Sequence, residues 1–202
     1  MHPGAGKESN RWPAERFGEV ARSLRAVGHR VAVCAGPNER SLLPRVDAGS
    51  GTELPRLPEL SIHGLGGALA DADLAIVNDT GVLHLAAAVG TATLGLFGPT
   101  DPAIWCPAAP RVWTLRGSDG HVATLPADRV ARAAVELAAY LQEQRPRPPR
   151  RGRARADAVA AAGGFVVRIA FRAPNWLGDA VMATVSAAGA YAAPTPTPRS
   201  TC

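Results

Sequence analysis

The sequence contains the run Leu74-Ala75-Ile76-Val77-Asn78-Asp79-Thr80-Gly81-Val82-Leu83-His84-Leu85-Ala86-Ala87-Ala88, which predicts a strand, a turn and a helix in succession. Its apolar start, Leu74–Val77, is typical of a buried parallel strand, and Val82–Val89 predicts a helix. The polar turn Asp79–Gly81 lies between them. A turn of this kind presents unpaired helical N–H groups and the positive end of a helix dipole to anions. The run therefore predicts a phosphate-binding site.

Two further residues strengthen this prediction. Gly81 has no side chain, so a ligand can approach the backbone closely. His84 lies about one helical turn further on and is near enough to reach the same anion. The alternative is an ordinary strand-to-helix turn of a Rossmann-type sheet with an incidental histidine.

Outward from this run, helices and strands alternate. We predict helices over Pro13–Val27, near Glu39–Leu43, over Leu65–Ala70 and over Pro126–Gln144, and strands over Arg30–Ala35, Thr91–Phe97 and Val112–Leu115. Residues 44–58 are rich in Pro and Gly and lack a clear period, so they are predicted to be loop. This order predicts an α/β fold with a Rossmann-like parallel sheet. Asp79–Gly81 and Gly36–Glu39 fall at the carboxyl ends of strands, where such sheets bind ligands.

Composition limits the class of protein. The chain has 202 residues, 47% of them hydrophobic, which suffices for one domain with a core. It contains no apolar run long enough to cross a membrane, and no charged and apolar regions of a signal peptide. Three cysteines (Cys34, Cys106 and Cys202) lie far apart without metal-ligand spacing. We therefore expect no metal site and no cofactor, and a reducing, cytoplasmic environment.

The net charge of +5 has a local origin. Six arginines lie within residues 145–155, and the remaining 16 of the 22 basic residues are matched by 17 acidic ones. This Pro/Arg/Gly segment is typical of a solvated, disordered linker. Its charge alone could attract nucleic acid or anionic lipid without specificity, but it has no interleaved aromatic residues. We expect no specific nucleic-acid partner.

Three ordered blocks resemble glycosyltransferase family 9, the ADP-heptose:lipopolysaccharide heptosyltransferases. They are His2-Pro3-Gly4-Ala5-Gly6 with Arg11-Trp12-Pro13-Ala14-Glu15-Arg16-Phe17, then Asn78–Ala88, then Leu96-Phe97-Gly98-Pro99-Thr100-Asp101-Pro102. The resemblance implies one half of a GT-B fold, the half that binds the nucleotide-sugar donor. The implied reaction transfers heptose from ADP-heptose to a sugar of the lipopolysaccharide core.

The resemblance also implies roles for individual residues. Asp79, Thr80, Gly81 and His84 would hold the diphosphate side of the donor. Glu39 would face the ribose, although a solvated glutamate at the start of a helix is an equal alternative. Where the family often has a lysine that contacts donor phosphate, this chain has Asn10. Arg11 or Lys7 would have to replace that lysine.

Four segments follow from these patterns. Residues 1–144 are the expected donor-binding domain, and residues 145–164 an Arg/Pro/Ala/Gly-rich linker. Residues 165–184, from Phe165 to Thr184, resemble the extreme N-terminus of the family, a strand, a Trp-Leu-Gly-Asp turn and a helix. Asp179 in this turn corresponds to the family's proposed catalytic base, here displaced in order. Residues 185–202 are expected to be a disordered tail.

The expected function is therefore that of an incomplete heptosyltransferase-like enzyme without turnover of its own. The lipopolysaccharide core would be an acceptor only if the missing acceptor-binding domain were supplied. One alternative is a non-enzymatic remnant of a gene fusion, and another is a GT-B enzyme that uses a UDP-sugar, such as an epimerase. The expected location is the cytoplasm, either free or peripheral at the inner membrane.

Overall fold

The computed structural model describes residues 1–144. Six α-helices and three strands are present in this part of the chain: α1 (Ala14–Ala26), α2 (Leu43–Ser50), α3 (Ile62–Ala70), β1 (Leu74–Asn78), α4 (Gly81–Ala88), β2 (Ala92–Phe97), α5 (Pro102–Trp105), β3 (Val112–Arg116) and α6 (Ala127–Glu143). Short 3₁₀ turns lie at Glu8–Asn10, Pro37–Leu42, Ser118–Gly120 and Val122–Thr124. This α/β order confirms the predicted fold class.

The strands form a parallel sheet in the order β1-β2-β3. Leu74 pairs with Ala92, and Thr93 pairs with Val112. Every residue of β1 and β2 is buried, as expected for parallel strands covered on both faces. The helices form two packing groups, with α1 against α2 and α6, and α3 against α4. All three carboxyl ends meet at one edge of the sheet, and this edge receives the Asp79 turn.

The amino-terminal residues continue the sheet beyond β1. His2 forms a parallel bridge with Val77, and the backbone N–H of His2 donates to the Ile76 carbonyl at 3.2 Å. The amino group of Met1 donates to the Ala32 carbonyl at 2.7 Å. A second parallel bridge joins Val33 to Arg56. The predicted strand Arg30–Ala35 is thus present only as a bridge at Val33.

The loop predicted over residues 44–58 is wrong. Its first half is α2, because Pro44 is compatible with the first helical turn and Gly51, with a φ of 75°, ends the helix. Its second half contributes Arg56 to the parallel bridge with Val33. The helix packs closely on α1: a Cβ atom at Gly18 or Gly49 would overlap the backbone of the other helix. Tertiary packing, and not a hydrophobic period, sets this element.

Three of the segments expected from the sequence fall outside the described range. The linker, the segment Phe165–Thr184 with Asp179, and the tail to Cys202 all lie beyond Gln144. Within residues 1–144, no helix has the length and apolar character needed to cross a membrane.

Candidate functional site

Asn78 ends β1 and ties three parts of the chain together. Its side-chain nitrogen donates to the carbonyls of Pro3 and Gly4, at 3.0 and 3.2 Å. Its side-chain oxygen accepts a hydrogen bond from the backbone N–H of Trp12 at 3.1 Å. The residue is fully buried, and these contacts satisfy its amide. Asn78 therefore fixes the His-Pro-Gly turn and the start of α1 against the carboxyl edge of the sheet.

Asp79 is held from two sides through one carboxylate oxygen. Oδ2 accepts a hydrogen bond from the Thr100 hydroxyl at 2.6 Å and one from the Asn10 side-chain nitrogen at 3.3 Å. Burial raises the pKa of the Asp79 carboxyl, while the Thr100 hydrogen bond and the charge of Lys7 oppose this shift. Asp79 is thus a partly buried carboxylate whose ionisation depends on its neighbours.

Thr80 is the N-cap of α4. Its backbone is extended, and its hydroxyl oxygen accepts from the Val82 N–H at 3.2 Å. This arrangement is the favoured way to begin a helix. Gly81 is the first helical residue, so the positive end of the α4 dipole lies directly at the turn.

His84, in the first turn of α4, carries a buried imidazole nitrogen that no other group of residues 1–144 satisfies. The residue is about 95% buried, and its Nδ1 has no hydrogen-bond partner among residues 1–144. Burial lowers its pKa, so the free imidazole is neutral near pH 7. A buried polar atom without a partner is unusual in a folded protein and suits a residue that waits for a ligand. Placement in α4 brings His84 one turn behind Gly81, as the sequence predicted.

Glu39 lies against the His-Pro-Gly turn. Its Oε2 accepts from the Gly36 N–H at 3.0 Å, which completes a capping arrangement for the Pro37–Leu42 turn. The same oxygen lies 3.4 Å from His2 Nε2. Its carboxylate packs directly on Gly4, where a Cβ atom would overlap it. Glu39 is buried, so a fully solvated glutamate at this position is not what the structure shows.

The basic candidates and Asn10 occupy different positions. Arg11 uses Nε to donate to the Ala5 carbonyl at 2.6 Å, which closes the loop between residues 5 and 11. Lys7 is exposed, and its charge acts on Asp79. Asn10 faces inward and donates to both the Asp79 carbonyl and its carboxylate. Of the two cations, Lys7 is the one whose charge lowers the pKa of Asp79.

Sequence reasoning missed Thr100, Asn10 and Asn78 as members of this cluster. The signal for Asn78 was a polar side chain at the end of an apolar strand. Thr100 lies in a matched family block and Asn10 directly precedes another, but nothing in the sequence showed that both would contact Asp79. Asp101, directly after Thr100, caps α5 by accepting from the Ala103 N–H at 2.9 Å.

The two tryptophans near the site differ. Trp12 is buried, packs edge-on against Phe17 and donates to the Leu125 carbonyl at 3.0 Å. Trp105 is about half exposed. In the described part of the chain, no group of His, Cys, Asp and Glu side chains could hold a metal ion.

Comparison with known proteins gives the family. Residues 1–131 match the model of glycosyltransferase family 9 (heptosyltransferase). The chain is 31% identical over 99 residues to lipopolysaccharide heptosyltransferase 1 of Escherichia coli K12, which covers 48% of this chain and 31% of that protein. It is 39% identical over 92 residues to lipopolysaccharide heptosyltransferase 1 of Pseudomonas aeruginosa, covering 45% of this chain and 26% of that protein.

Solved structures agree with this result. The E. coli heptosyltransferase WaaC with ADP aligns with a TM-score of 0.61 and 26% identity, over 67% of this chain and 42% of that one. The E. coli ADP-heptose LPS heptosyltransferase II aligns with a TM-score of 0.63 and 23% identity, over 71% of this chain and 46% of that one. The chain thus spans about a third of the curated relatives it matches and less than half of these solved chains. Its fold is one half of the GT-B architecture, and the chain belongs to glycosyltransferase family 9, the heptosyltransferase family.

Proposed function

We propose that residues 1–144 bind ADP-heptose at the Asp79 turn and serve as the donor-binding half of a heptosyltransferase. The observation that carries the proposal is Nδ1 of His84, in a residue about 95% buried in the first turn of α4, which has no hydrogen-bond partner within residues 1–144. The positive end of the α4 dipole and a nitrogen free to bind a ligand therefore both belong to the first turn of this helix. The solved relative WaaC with ADP, which aligns over 67% of this chain, supports the choice of ligand.

Each candidate residue has a proposed contact. Thr80, Gly81 and His84 would hold the diphosphate, with Asp79 beside them on the same side of the donor. Lys7 would neutralise phosphate charge from the exposed side, with Arg11 as the second cation. Glu39 would meet the ribose through Oε1, since Oε2 already faces the Gly36 N–H and His2. An ionised carboxylate can only accept hydrogen bonds, so it is a good partner for sugar hydroxyls, which can donate them.

Transfer needs more than donor binding. A carboxylate must take the proton of the acceptor hydroxyl while the leaving ADP is stabilised electrostatically. The helix end at Gly81 and the charge of Lys7 would supply the second requirement. For the first, the resemblance offers Asp179, outside the described residues. We propose that transfer to a lipopolysaccharide core sugar, in the cytoplasm, requires an acceptor-binding domain in addition to residues 1–144.

Calorimetric titration of the full chain with ADP-heptose, ADP and UDP tests the proposal. We expect saturable binding of ADP-heptose and ADP, weakened at least about ten-fold by Gly81→Val, because the β-branched side chain intrudes where the ligand approaches the backbone. Gly67→Val in α3 is the matched control, because no atom lies within 4 Å of a Cβ there. A preference for UDP would favour the UDP-sugar alternative. Absence of saturable binding would favour the non-enzymatic remnant and overturn the proposal.

A further inference from the structure

The side chain of Asp79 is held by the rest of the site through a single oxygen. Oδ2 receives both the Thr100 hydroxyl and the Asn10 amide, whereas Oδ1 has no hydrogen-bond partner among residues 1–144. The two donors approach from different parts of the chain. Thr100 follows β2, and Asn10 precedes α1. The carboxylate is therefore held from two loops with one oxygen left for another molecule.

The loop that carries Thr100 is itself well anchored. A Cβ atom at Gly98 would lie 2.7 Å from the Val122 backbone nitrogen, so the loop packs tightly against the segment before α6. The Gly98 carbonyl accepts from Arg116 Nε at 3.3 Å. Asp101, directly after Thr100, caps α5. The Thr100 hydroxyl is thus presented from a constrained backbone, and a constrained donor loses little entropy when it forms its hydrogen bond.

Such a donor matters because Asp79 lies in a partly buried position. Burial disfavours the ionised carboxyl, and a hydrogen bond to the charged form favours it. At 2.6 Å, the Thr100 contact has the length of a charge-assisted O–H···O⁻ bond. Lys7 also acts on Asp79, because its charge lowers the pKa of this carboxyl, and the charge of Asp79 in turn raises the pKa of the Cys106 thiol.

We propose that Thr100 is a positioning residue for the ligand site, whose hydroxyl fixes Asp79 through Oδ2 so that Oδ1 faces the bound molecule. Asn10 supports the same oxygen from the opposite loop. The proposal rests on the proposed function in that Asp79 contacts the ligand. It also explains why Asn10 is compatible with this site: its amide binds the Asp79 side chain and not the phosphate of the ligand.

The test uses Thr100→Val and Thr100→Ser in the full chain. Valine has nearly the same shape but no hydroxyl, whereas serine keeps the donor. Carbon-13 NMR of the aspartate carboxyl groups over pH gives the Asp79 pKa, with Asp79→Asn to assign its signal. We expect the pKa of Asp79 to rise in Thr100→Val and to stay close to wild type in Thr100→Ser. A pKa unchanged in Thr100→Val would overturn the proposal.

Binding of ADP-heptose supplies the second measurement. We expect Thr100→Val to weaken binding about ten-fold, and Thr100→Ser less than two-fold, as for one charge-assisted hydrogen bond. Wild-type affinity in Thr100→Val, despite a shifted pKa, would also contradict a positioning role. If no variant binds a nucleotide and wild type does not either, the proposed function fails, and the NMR titration still decides whether Thr100 controls Asp79. Asn10→Ala, with a smaller expected rise in pKa, replaces Thr100→Val if that variant does not fold.

Discussion

The side-chain oxygen of Asn78 lies 3.1 Å from the backbone nitrogen of Trp12, and this hydrogen bond joins the end of β1 to the start of α1. The side-chain nitrogen of Asn78 holds the turn that follows His2. One buried amide therefore aligns two family blocks, through two residues that lie 66 positions apart in sequence. The turn that we propose to bind phosphate begins at the next residue, so the geometry of the candidate site depends on this contact.

Asn78→Asp should destabilise the fold strongly. The substitution keeps the acceptor for Trp12 but turns the donor into an oxygen that faces the carbonyls of Pro3 and Gly4. Leaving two carbonyls opposite a buried carboxylate should cost about 3 kcal/mol of the free energy of unfolding. Urea unfolding followed by circular dichroism measures this. A loss below about 0.5 kcal/mol would mean that the turn after His2 is held by other contacts.

Gly49→Ala should be destabilising although alanine is the better helix former. The Cβ atom would overlap the carbonyl of Glu15 in α1, so the two helices would have to separate. We expect a loss of about 2–3 kcal/mol, as in overpacked cores. Gly67→Ala in α3 is the matched control: its Cβ atom meets nothing within 4 Å, and it should stabilise the helix by up to about 1 kcal/mol. Equal melting temperatures for the two variants would contradict the close crossing of α1 and α2.

These residues also show where sequence reasoning succeeds. The strands β1 and β2 were predicted because parallel strands buried on both faces leave a continuous apolar run. The helix α2 was missed because its determinant is backbone contact through Gly18 and Gly49, which leaves no hydrophobic period. The bridge at His2 is too short to leave a strand pattern, whereas Arg30–Ala35 has such a pattern and yet forms only the single bridge at Val33.

The candidate site likewise contains residues that the sequence predicts and residues that it does not. Asp79, Thr80, Gly81 and His84 are neighbours in sequence, so local chemistry at a strand-to-helix turn was sufficient to predict their proximity. Asn10 and Thr100 reach Asp79 across 69 and 21 positions, and no local rule links them to it. Their contact is a property of the folded sheet edge, where three loops converge.

His84 should take up a proton when an anion binds. In the free protein, burial lowers its pKa below the ordinary value of 6.5. A diphosphate beside the ring favours the charged imidazolium, so the pKa should rise on binding. Two-dimensional NMR of the histidine side chains over pH, with and without saturating ADP, measures the change. The exposed His63 is an internal control whose signal should not respond to ADP. A pKa of His84 that is the same in both titrations would place the anion elsewhere.

The lowered pKa of His84 in the free protein also predicts how the stability of the fold depends on pH. Because the folded-state pKa of His84 is depressed, the unfolded chain takes up a proton at a higher pH than the folded chain. The free energy of unfolding should therefore fall as pH decreases through about 6.5, and this loss should be smaller in His84→Gln. His29, also buried with a lowered pKa, contributes in the same direction and remains in both proteins. Urea unfolding at pH 7.5 and pH 5.5 gives the comparison, and an identical pH dependence in the variant would show that His84 titrates normally.

Lys7 and Arg11 should separate into a ligand-binding and a structural cation. The Lys7 side chain is exposed and forms no hydrogen bond within residues 1–144, whereas Arg11 Nε closes its loop on the Ala5 carbonyl. We expect Lys7→Met to weaken ADP binding about three- to ten-fold without a change in melting temperature, since a single exposed cation near phosphate contributes about 1 kcal/mol. Arg11→Met should lower the melting temperature, because it removes the contact that closes the loop.

Because Lys7 is exposed, its contribution to ADP affinity is screened by salt. The difference in ADP affinity between wild type and Lys7→Met should therefore shrink when sodium chloride is raised from 50 to 500 mM. Calorimetry at both salt concentrations, with Lys7→Arg as the charge-preserving control, makes the assignment. A salt-independent difference, or a greater loss of affinity in Arg11→Met at unchanged stability, would give the phosphate-binding role to Arg11 instead.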